Sequence, residues 1–394
     1  MYPNLSYFFH DLFGTQPDNA FALVNTFGFF LALAFIPSGY VLYLEFKRKE
    51  KEGLLSPTIE TREIGKPAST MDIVWNAVFG FILGFKLLYV IQNFDETIGD
   101  AAGVILSAKG HLPAGIVGAI IFGVWKWYEG NRKKLPKPKI EKVTTFPSQR
   151  VADIAIVSAI SGILGAKIFA LFEGKETFGM FLKDPIGQLL SGSGLAVYGG
   201  IIAGFIVVFY YVKRKGIPPI HVMDSAAPAI IMGYAVGRLG CQLSGDGDWG
   251  IVNEMDKPSW FIFPDWMWAY DYPRNVLESG VPIEDCVGQI CNRLAQPVFP
   301  TPVYEIIMSL MIFGILWMLR KRIKIPGMIF FIYCILNGIE RFWIEKIRVN
   351  DLINLFGMEV TQAEIISVLM FLIGIVGCII LWRNSKKDLD PIPT

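Results

Sequence analysis

Three long stretches of the 394-residue chain contain no Asp, Glu, Lys or Arg, and they constrain the fold more than any other feature. They cover residues 20–44, 185–212 and 365–382. A helix rises about 1.5 Å per residue, so these runs approach or exceed the length that crosses a hydrocarbon layer of roughly 30 Å. Only 18% of all residues are charged, whereas soluble globular proteins carry about 25%. The composition excludes a disordered chain, a soluble enzyme and a secreted disulfide scaffold, and it predicts a polytopic membrane protein.

Apolar stretches predict an all-α fold with about nine membrane-spanning helices. They lie near residues 20–44, 72–91, 112–128, 151–172, 195–212, 220–243, 302–319, 326–344 and 364–382. The connecting segments alternate in basic content, and Lys and Arg cluster at residues 47–51, 130–142, 213–215, 320–322 and 383–387. By the positive-inside rule these five clusters are cytoplasmic. The pattern therefore predicts an N-terminus outside and a C-terminus inside.

One connecting segment, residues 244–301, is long, faces outward in this topology and is rich in Trp, Pro and Asp. Aromatic residues at this density suit the headgroup level of a bilayer. The segment contains Cys286 and Cys291, which either form a disulfide on the oxidising side or are two small buried residues. No spacing of Cys or His resembles a metal site, and the sequence predicts neither a metal nor a cofactor.

Residues 72–128 and 153–209 match in register at an offset of 81. For example, Ile82-Leu83-Gly84-x-Lys86 matches Ile163-Leu164-Gly165-x-Lys167. The match predicts a duplicated helical hairpin, whose small residues let helices pack closely. Repeats also occur in transporters, so this feature alone does not favour an enzyme.

Several ionisable side chains fall within the predicted spans, all in the outer half of the bilayer. They are Lys167, Tyr198, Arg238, Glu305, Arg341 and Glu345. A charge in the bilayer costs at least a few kcal/mol, so such groups normally face a cavity or each other. The alternative, snorkelling at helix ends, fits Lys86, Glu340 or Lys346 taken singly.

Arg238 is followed by a glycine-rich polar run, and residues 237–250 read GRLGCQLSGDGDWG. The glycines allow close approach of a ligand to the backbone, and an arginine offers a bidentate fork to phosphate or carboxylate. This chemistry predicts binding of an anionic headgroup from the outer leaflet.

These residues resemble the signature of the prolipoprotein diacylglyceryl transferase family, which reads GRxGN, then NGE, then WG. Other segments agree in order. Tyr198-Gly199-Gly200 stands where the family has His-Gly-Gly, and Asp224 with Ala227-Pro228 resembles its D-x-x-A-P. Residues 299–305, FPTPVYE, resemble HP[ST]xxYE, and Arg341-x-x-x-Glu345 resembles the late RxxxE.

The resemblance covers residues 20–44 and 151–382, and it implies one integral membrane domain spanning 1–394. Within that domain the family's seven-helix core is interrupted by an inserted two-helix repeat at 50–150 and carries a periplasmic loop at 244–301. Tyr198 and Phe299 replace family histidines, Phe27 replaces a tyrosine, and Cys241 replaces an asparagine.

The resemblance implies transfer of a diacylglyceryl group from phosphatidylglycerol to the lipobox cysteine of a prolipoprotein signal peptide, with release of glycerol phosphate, in the bacterial cytoplasmic membrane. No nucleic acid is expected as a partner. Catalytic roles are expected for Tyr198, Arg238, Asp246, Arg341 and Glu345. Substrate binding is expected for Lys167, Gly199, Gly200, Ser244, Gly245, Glu305 and Arg348.

The reaction needs cations that hold the phosphate and a group that takes the proton of a thiol with a pKa of about 8.5. Arg238, Arg341 and Lys167 are the candidate cations. Either Tyr198 or Asp246 takes the proton, unless nearby arginines lower the thiol pKa enough. Two other readings stay open: a secondary transporter with an outward-facing anion site, and a non-catalytic member of the same family.

Overall fold

The computed structural model describes residues 1–94, 97, 104, 107–136, 139–172, 175–183, 185, 196–350, 352–355 and 357–387. Much of the charge-free stretch 185–212, from 186 to 195, lies outside these described residues.

Within the described residues, nine helices of at least 18 residues match the nine predicted spans. In chain order they are α2 (Thr26–Lys51), α3 (Thr70–Gln92), α4 (Leu112–Arg132), α5 (Val151–Phe172), α7 (Val197–Arg214), α8 (Pro219–Ser244), α9 (Thr301–Leu319), α10 (Met328–Glu345) and α11 (Gln362–Lys387). Two shorter helices complete the numbering: α1 (Leu5–Phe13) precedes α2, and α6 (Lys175–Lys183) lies between α5 and α7. Their existence confirms the all-α polytopic fold.

Among the described residues, seven helices are long and apolar enough to cross a membrane on their own. The helices α4 and α10 do not meet this measure. For α10 a cause is visible, because three charged side chains, Glu340, Arg341 and Glu345, lie within its 18 residues. Nine crossings therefore remain a prediction.

Three short two-stranded antiparallel sheets accompany the helices: β1 (Thr58–Ile64) with β2 (Lys139–Thr145), β3 (Val281–Pro282) with β4 (Asn292–Arg293), and β5 (Leu352–Leu355) with β6 (Met358–Thr361). The first pairs Thr58 with Thr145 and Ile64 with Lys139. It therefore joins the two chain segments that flank α3 and α4.

The chain divides into two compact units, Met1–Leu55 with Ile217–Thr394, and Ser56–Gly216. The predicted core, residues 20–44 and 151–382, has residues in both units, so its boundaries stay a prediction. Each unit is described on its own below.

In the first unit, α8, α9 and α10 pack around an apolar core. Its buried residues are Ala227, Ile231, Ile312, Leu316 and Ile329. The helix α2 lies against α8, where a Cβ placed on Gly240 would come within 3.0 Å of the Phe30 Cβ. A larger residue there would require its neighbours to move slightly, so glycine lets α2 and α8 pack closely at this point.

In the second unit, α3 with α4 and α5 with α7 form two helical hairpins. Each hairpin crosses at glycines that correspond in the repeat. A Cβ on Gly118 would lie 3.5 Å from the Gly84 Cα, and one on Gly199 would lie 2.8 Å from the Gly165 carbonyl oxygen. The two matched segments thus form similar helix pairs, as the repeat predicts.

The loop between α8 and α9 is held by polar contacts and by a disulfide between Cys286 and Cys291. The amide N–H of Ile290 donates to the hydroxyl of Tyr7 at 3.0 Å, and that of Gln289 donates to Asp18 at 3.0 Å. Tyr7 is fully buried. The disulfide-closed turn therefore covers the N-terminal segment that contains α1.

Candidate active site

The last turns of α8 and the loop that follows carry the first part of the site. The helix ends at Ser244, and Gly245 caps it with a left-handed backbone (φ 63°) whose N–H donates to the Cys241 carbonyl. Gly247 is also left-handed, with φ 96°. These two conformations, which suit glycine, turn the chain so that Asp248 returns to the side chain of Arg238.

Glu305, in the first turns of α9, lies at the centre of the site and is fully buried. Its Oε1 lies 3.1 Å from Nη1 of Arg341, and its Oε2 lies 3.1 Å from Nε of Arg238. The hydroxyl of Tyr234, one turn before Arg238 on α8, donates to Oε1 at 2.7 Å. One carboxylate therefore joins arginines from two different helices, α8 and α10.

Asp248 forms the second bridge. Its carboxylate forms ion pairs with both Arg238 and Arg348, and its carbonyl accepts a hydrogen bond from Thr301 Oγ1 at 2.6 Å. The backbone of Gly250 bridges that of Arg348. Arg348 is therefore fixed by both its backbone and its side chain, although it follows the end of α10.

A third carboxylate, Glu345, holds Arg341 from the other side. Its Oε2 lies 3.2 Å from Arg341 Nη2, and its Oε1 accepts from the amide of Asn350 at 2.5 Å. The Nη1 nitrogen of Arg348 lies 3.7 Å from Glu305 Oε1, is buried, and has no hydrogen-bond partner among the described residues. An anion placed there would gain a donor that the protein leaves unused.

Asp246 lies beside this arginine cluster. Its Oδ1 accepts the amide N–H of Asp248 at 3.3 Å, and burial raises the pKa of its carboxyl group. Ligand atoms of Cys241, Asp246 and Asp248 lie within 4.8 Å of one another. Because two arginines already engage Asp248, the surroundings suit an anion better than a metal cation.

The structure thus brings together six predicted site residues: Arg238, Asp246, Glu305, Arg341, Glu345 and Arg348. Ser244 and Gly245 are adjacent in the chain but pack toward the loop. The carbonyl of Ser244 accepts from Val276 N at 3.0 Å, and a Cβ on Gly245 would lie 2.9 Å from the Asn275 Cβ. These contacts do not test the predicted role of Ser244 and Gly245 in substrate binding.

The other predicted residues belong to the second unit. Gly199 and Gly200 lie at the crossing of α5 and α7, where a Cβ on Gly200 would come within 2.9 Å of the Gly162 carbonyl oxygen. Lys167 is buried in α5, and Tyr198 lies in the first turn of α7. Their participation in one site with the arginines remains a prediction.

Sequence reasoning missed three members of the cluster: Tyr234, Asp248 and Asn350. Asp248 could have been predicted, because it lies in the glycine-rich run beside Trp249 and two positions after Asp246. Tyr234 precedes Arg238 by four residues, which places both on one face of a helix. Asn350 gives no signal, because it follows the helix in an irregular segment.

The fold and the cluster define a class of protein: a multi-pass helical membrane protein with a buried group of arginines held by carboxylates. The family model for prolipoprotein diacylglyceryl transferase matches residues 114–380. The chain belongs to this family of transferases.

Relatives named phosphatidylglycerol–prolipoprotein diacylglyceryl transferase include those of Corynebacterium efficiens and Staphylococcus carnosus. The first is 26% identical over 282 residues, 70% of this chain and 79% of the relative. The second is 30% identical over 253 residues, 62% of this chain and 80% of the relative. A third, from Staphylococcus xylosus, is 28% identical over 253 residues, 63% of this chain and 81% of the relative.

Proposed function

We propose that this protein transfers the diacylglyceryl group of phosphatidylglycerol to the lipobox cysteine thiol of a prolipoprotein. The observation that carries the proposal is the convergence of Arg238, Arg341 and Arg348 on shared carboxylates, with one buried Arg348 nitrogen lacking an acceptor within the described residues. The names of the relatives supply the substrates.

The reaction replaces a carbon–oxygen bond by a carbon–sulfur bond. The thiolate sulfur attacks the glycerol carbon that carries the phosphate, and the carbon–oxygen bond to phosphate breaks with its electron pair staying on oxygen. Glycerol phosphate leaves with an added negative charge, and the thiol proton passes to a base. The step needs cations at the phosphate and no oxidant or reductant.

Arg238 and Arg341 are the proposed phosphate ligands, with Arg348 beside them. Negative charge grows on the phosphate in the transition state, so positioned guanidinium groups stabilise that state more than the ground state. Glu305 and Glu345 hold two of these arginines in place by ion pairs. Preorganised donors of this kind need little rearrangement when the charge develops. Lys167, Gly199, Gly200, Ser244 and Gly245 remain proposed substrate-binding residues.

The proton acceptor is either Asp246 or Tyr198. Burial raises the pKa of the Asp246 carboxyl, and a carboxylate with a raised pKa is a better base near neutral pH. A phenol with a pKa of about 10 is a poor base unless it is perturbed. These considerations favour Asp246.

The proposed location is the bacterial cytoplasmic membrane, with the N-terminus outside and the C-terminus in the cytoplasm. The basic clusters at the ends of α2, α4, α7, α9 and α11 support this orientation. In this orientation the arginine cluster lies on the outer side of the membrane.

Transfer from labelled phosphatidylglycerol to a lipobox peptide, using the purified full-length protein in detergent, tests the proposal. The expected result is a labelled thioether product that is absent when the peptide cysteine is replaced by serine. Complementation of a strain depleted of its diacylglyceryl transferase tests the same function in cells. A folded protein that fails both assays would be a non-catalytic member of the family.

A further inference from the structure

At the opposite end of the first unit, four helix termini surround a cavity of about 420 Å³. The end of α2, the start of α8, the end of α9 and the start of α10 all contribute to it. Arg238 lies 19 residues along α8 from Pro219, or roughly 28 Å at 1.5 Å per residue. The cavity is therefore separate from the arginine cluster and lies on the proposed cytoplasmic side.

Buried ion pairs form the floor of this cavity. Both oxygens of Glu45 are engaged, one by Arg48 and the other by Arg320. Lys49 lies 3.8 Å from Asp224 and donates to the carbonyl of His221 at 2.8 Å. The acidic groups of the floor are thus already paired.

Asp224 is also held in place by the start of α10. Its carboxylate accepts the amide N–H groups of Gly327 at 2.7 Å and Phe330 at 3.1 Å. These bonds tie α8 to α10, so the cavity has a rigid base made by the protein itself.

The cavity lining carries more positive than negative side chains, so the ion pairs leave some of its positive charge unpaired. Five basic side chains line it against three carboxylates, namely Arg48, Lys49, Arg320, Lys321 and Lys324 against Glu45, Glu52 and Asp224. Lys321 and Lys324 are exposed and have no carboxylate partner among the described residues. The Nη2 group of Arg320 likewise has no acceptor within the described part of the chain. The ammonium groups of Lys321 and Lys324 are therefore available to an anion, together with one N–H edge of the Arg320 guanidinium, whose charge is already paired with Glu45.

Apolar side chains share the lining with these cations. Leu54, Ile323, Ile325 and Ile329 contribute to the wall. A free phosphate would make no use of them, whereas a phospholipid presents a phosphodiester next to its glycerol and acyl groups. A basic peptide segment would face a net positive wall and be repelled.

We infer that this cavity binds the headgroup phosphate of an anionic phospholipid from the cytoplasmic leaflet, at a second lipid site that takes no part in the transfer. Lys321, Lys324 and Arg320 contact the phosphate, and the isoleucines contact the glycerol region. The cytoplasmic orientation rests on the proposed topology, but the binding chemistry does not.

The double variant Lys321→Gln/Lys324→Gln tests the site, because both side chains are exposed and their loss leaves the buried ion pairs intact. The matched control is Arg322→Gln/Arg383→Gln, which removes two positive charges from predicted cytoplasmic segments but not from the cavity. Binding of phosphatidic acid to the full-length protein in detergent is counted by native mass spectrometry, with phosphatidylcholine as the uncharged comparison. Phosphatidic acid avoids confusion with the transfer substrate.

The cavity variant is expected to bind one phosphatidic acid roughly 10- to 30-fold more weakly than the wild type, and the control to stay within about threefold. Equal weakening in both variants would overturn the site. Displacement of the lipid by millimolar inorganic phosphate would overturn the lipid assignment.

Transfer activity is measured in the same samples at saturating phosphatidylglycerol. The cavity variant is expected to keep transfer within about twofold of the wild type. If no sample shows transfer but phosphatidic acid binding changes as expected, the proposed function is rejected and the second lipid site stands. A loss of transfer confined to the cavity variant would contradict the separation of the two sites.

Discussion

The carboxylate of Glu305 lies 3.1 Å from the guanidinium of Arg341, and its second oxygen lies 3.1 Å from that of Arg238. The two arginines are 103 positions apart in the sequence and come from different helices. The shared buried carboxylate therefore holds the two guanidinium groups close together, and a substitution of one arginine affects the other.

Arg238→Lys and Arg341→Lys are each expected to reduce transfer strongly. Lysine keeps the charge but loses the planar fork, and loss of a contact that acts in the transition state costs roughly 2–4 kcal/mol, or about 30- to 1000-fold in rate. The double variant should fall short of the product of the two single losses, because both side chains act on one group. The measurement is transfer to a lipobox peptide, with thermal stability recorded alongside.

Arg293→Lys is the matched control for these variants. Arg293 is in the loop between α8 and α9 and pairs with Asp271 at 3.6 Å, away from Glu305. It should retain near-normal transfer. If Arg238→Lys or Arg341→Lys also retained near-normal transfer, the arginine cluster would not be the phosphate site.

A second prediction concerns Asp246 and pH. A base acts in its deprotonated form, so a raised pKa of Asp246 moves the acidic limb of the rate profile to higher pH. Below that pKa the rate should fall about tenfold per pH unit, and above it the rate should level off. Asp246→Asn should lower the plateau by roughly 100-fold or more and remove this limb.

The substrate thiol gives its own rise near a pKa of about 8.5, and Asp246→Asn keeps that rise. Tyr198→Phe serves as the comparison, because it removes the rival acceptor and should leave the Asp246 limb in place. If Tyr198→Phe removes the limb instead, Tyr198 is the proton acceptor.

The helices were predictable because their signals are local. Apolar runs and the basic clusters between them indicate where the spans lie. The observed helix ends differ from the predicted ends by only a few residues, except at α2, which begins at Thr26 and ends at Lys51. The helix α10 shows the limit of this signal. Its ionisable residues lower the apolar character of a helix that the site requires.

The site was predictable in its residue types but not in its pairing. The sequence indicated arginines and carboxylates at one depth, and Glu305 and Glu345 do contact arginines. Which acidic residue of the glycine-rich run meets Arg238 depends on the backbone at Gly245 and Gly247. Two left-handed residues direct Asp248 rather than Asp246 to that arginine, and no periodicity reveals such a turn.

Lys86 and Lys167, which correspond in the repeat, are expected to behave differently. The ammonium of Lys86 donates to the carbonyls of Val104 at 3.0 Å and Lys109 at 2.8 Å, so it holds the connection between α3 and α4. Lys86→Ala should reduce stability by about 2 kcal/mol, since charged hydrogen bonds are lost, and keep most of the transfer activity. Lys167→Ala should lose transfer. Equal losses of transfer at both positions would mean that both copies of the repeat serve the site.

The topology prediction follows from the basic clusters. Reporter fusions after residues 50, 135, 216, 324 and 386 should all report the cytoplasm, because Lys and Arg are retained on that side. Fusions after residues 109 and 270 should report the outside. A middle fusion, at 135, 216 or 324, that reports the outside would overturn both the orientation and the count of nine spans.

The disulfide between Cys286 and Cys291 is expected to stabilise the loop that covers the N-terminal segment. It closes a short turn whose Ile290 N–H binds Tyr7, and closure of such a turn contributes about 2 kcal/mol in the chain-entropy account. Cys286→Ser/Cys291→Ser should therefore lower the thermal midpoint by a few degrees, and a reductant should do the same to the wild type but not to the variant. Cys378→Ser, which removes a free cysteine in α11, is the control and should not alter the response to reductant. Proteolysis near residue 14 should become faster in the double serine variant, because Tyr7 loses its cover. Unchanged proteolysis and an unchanged midpoint would show that the turn holds the N-terminal segment without the covalent bond.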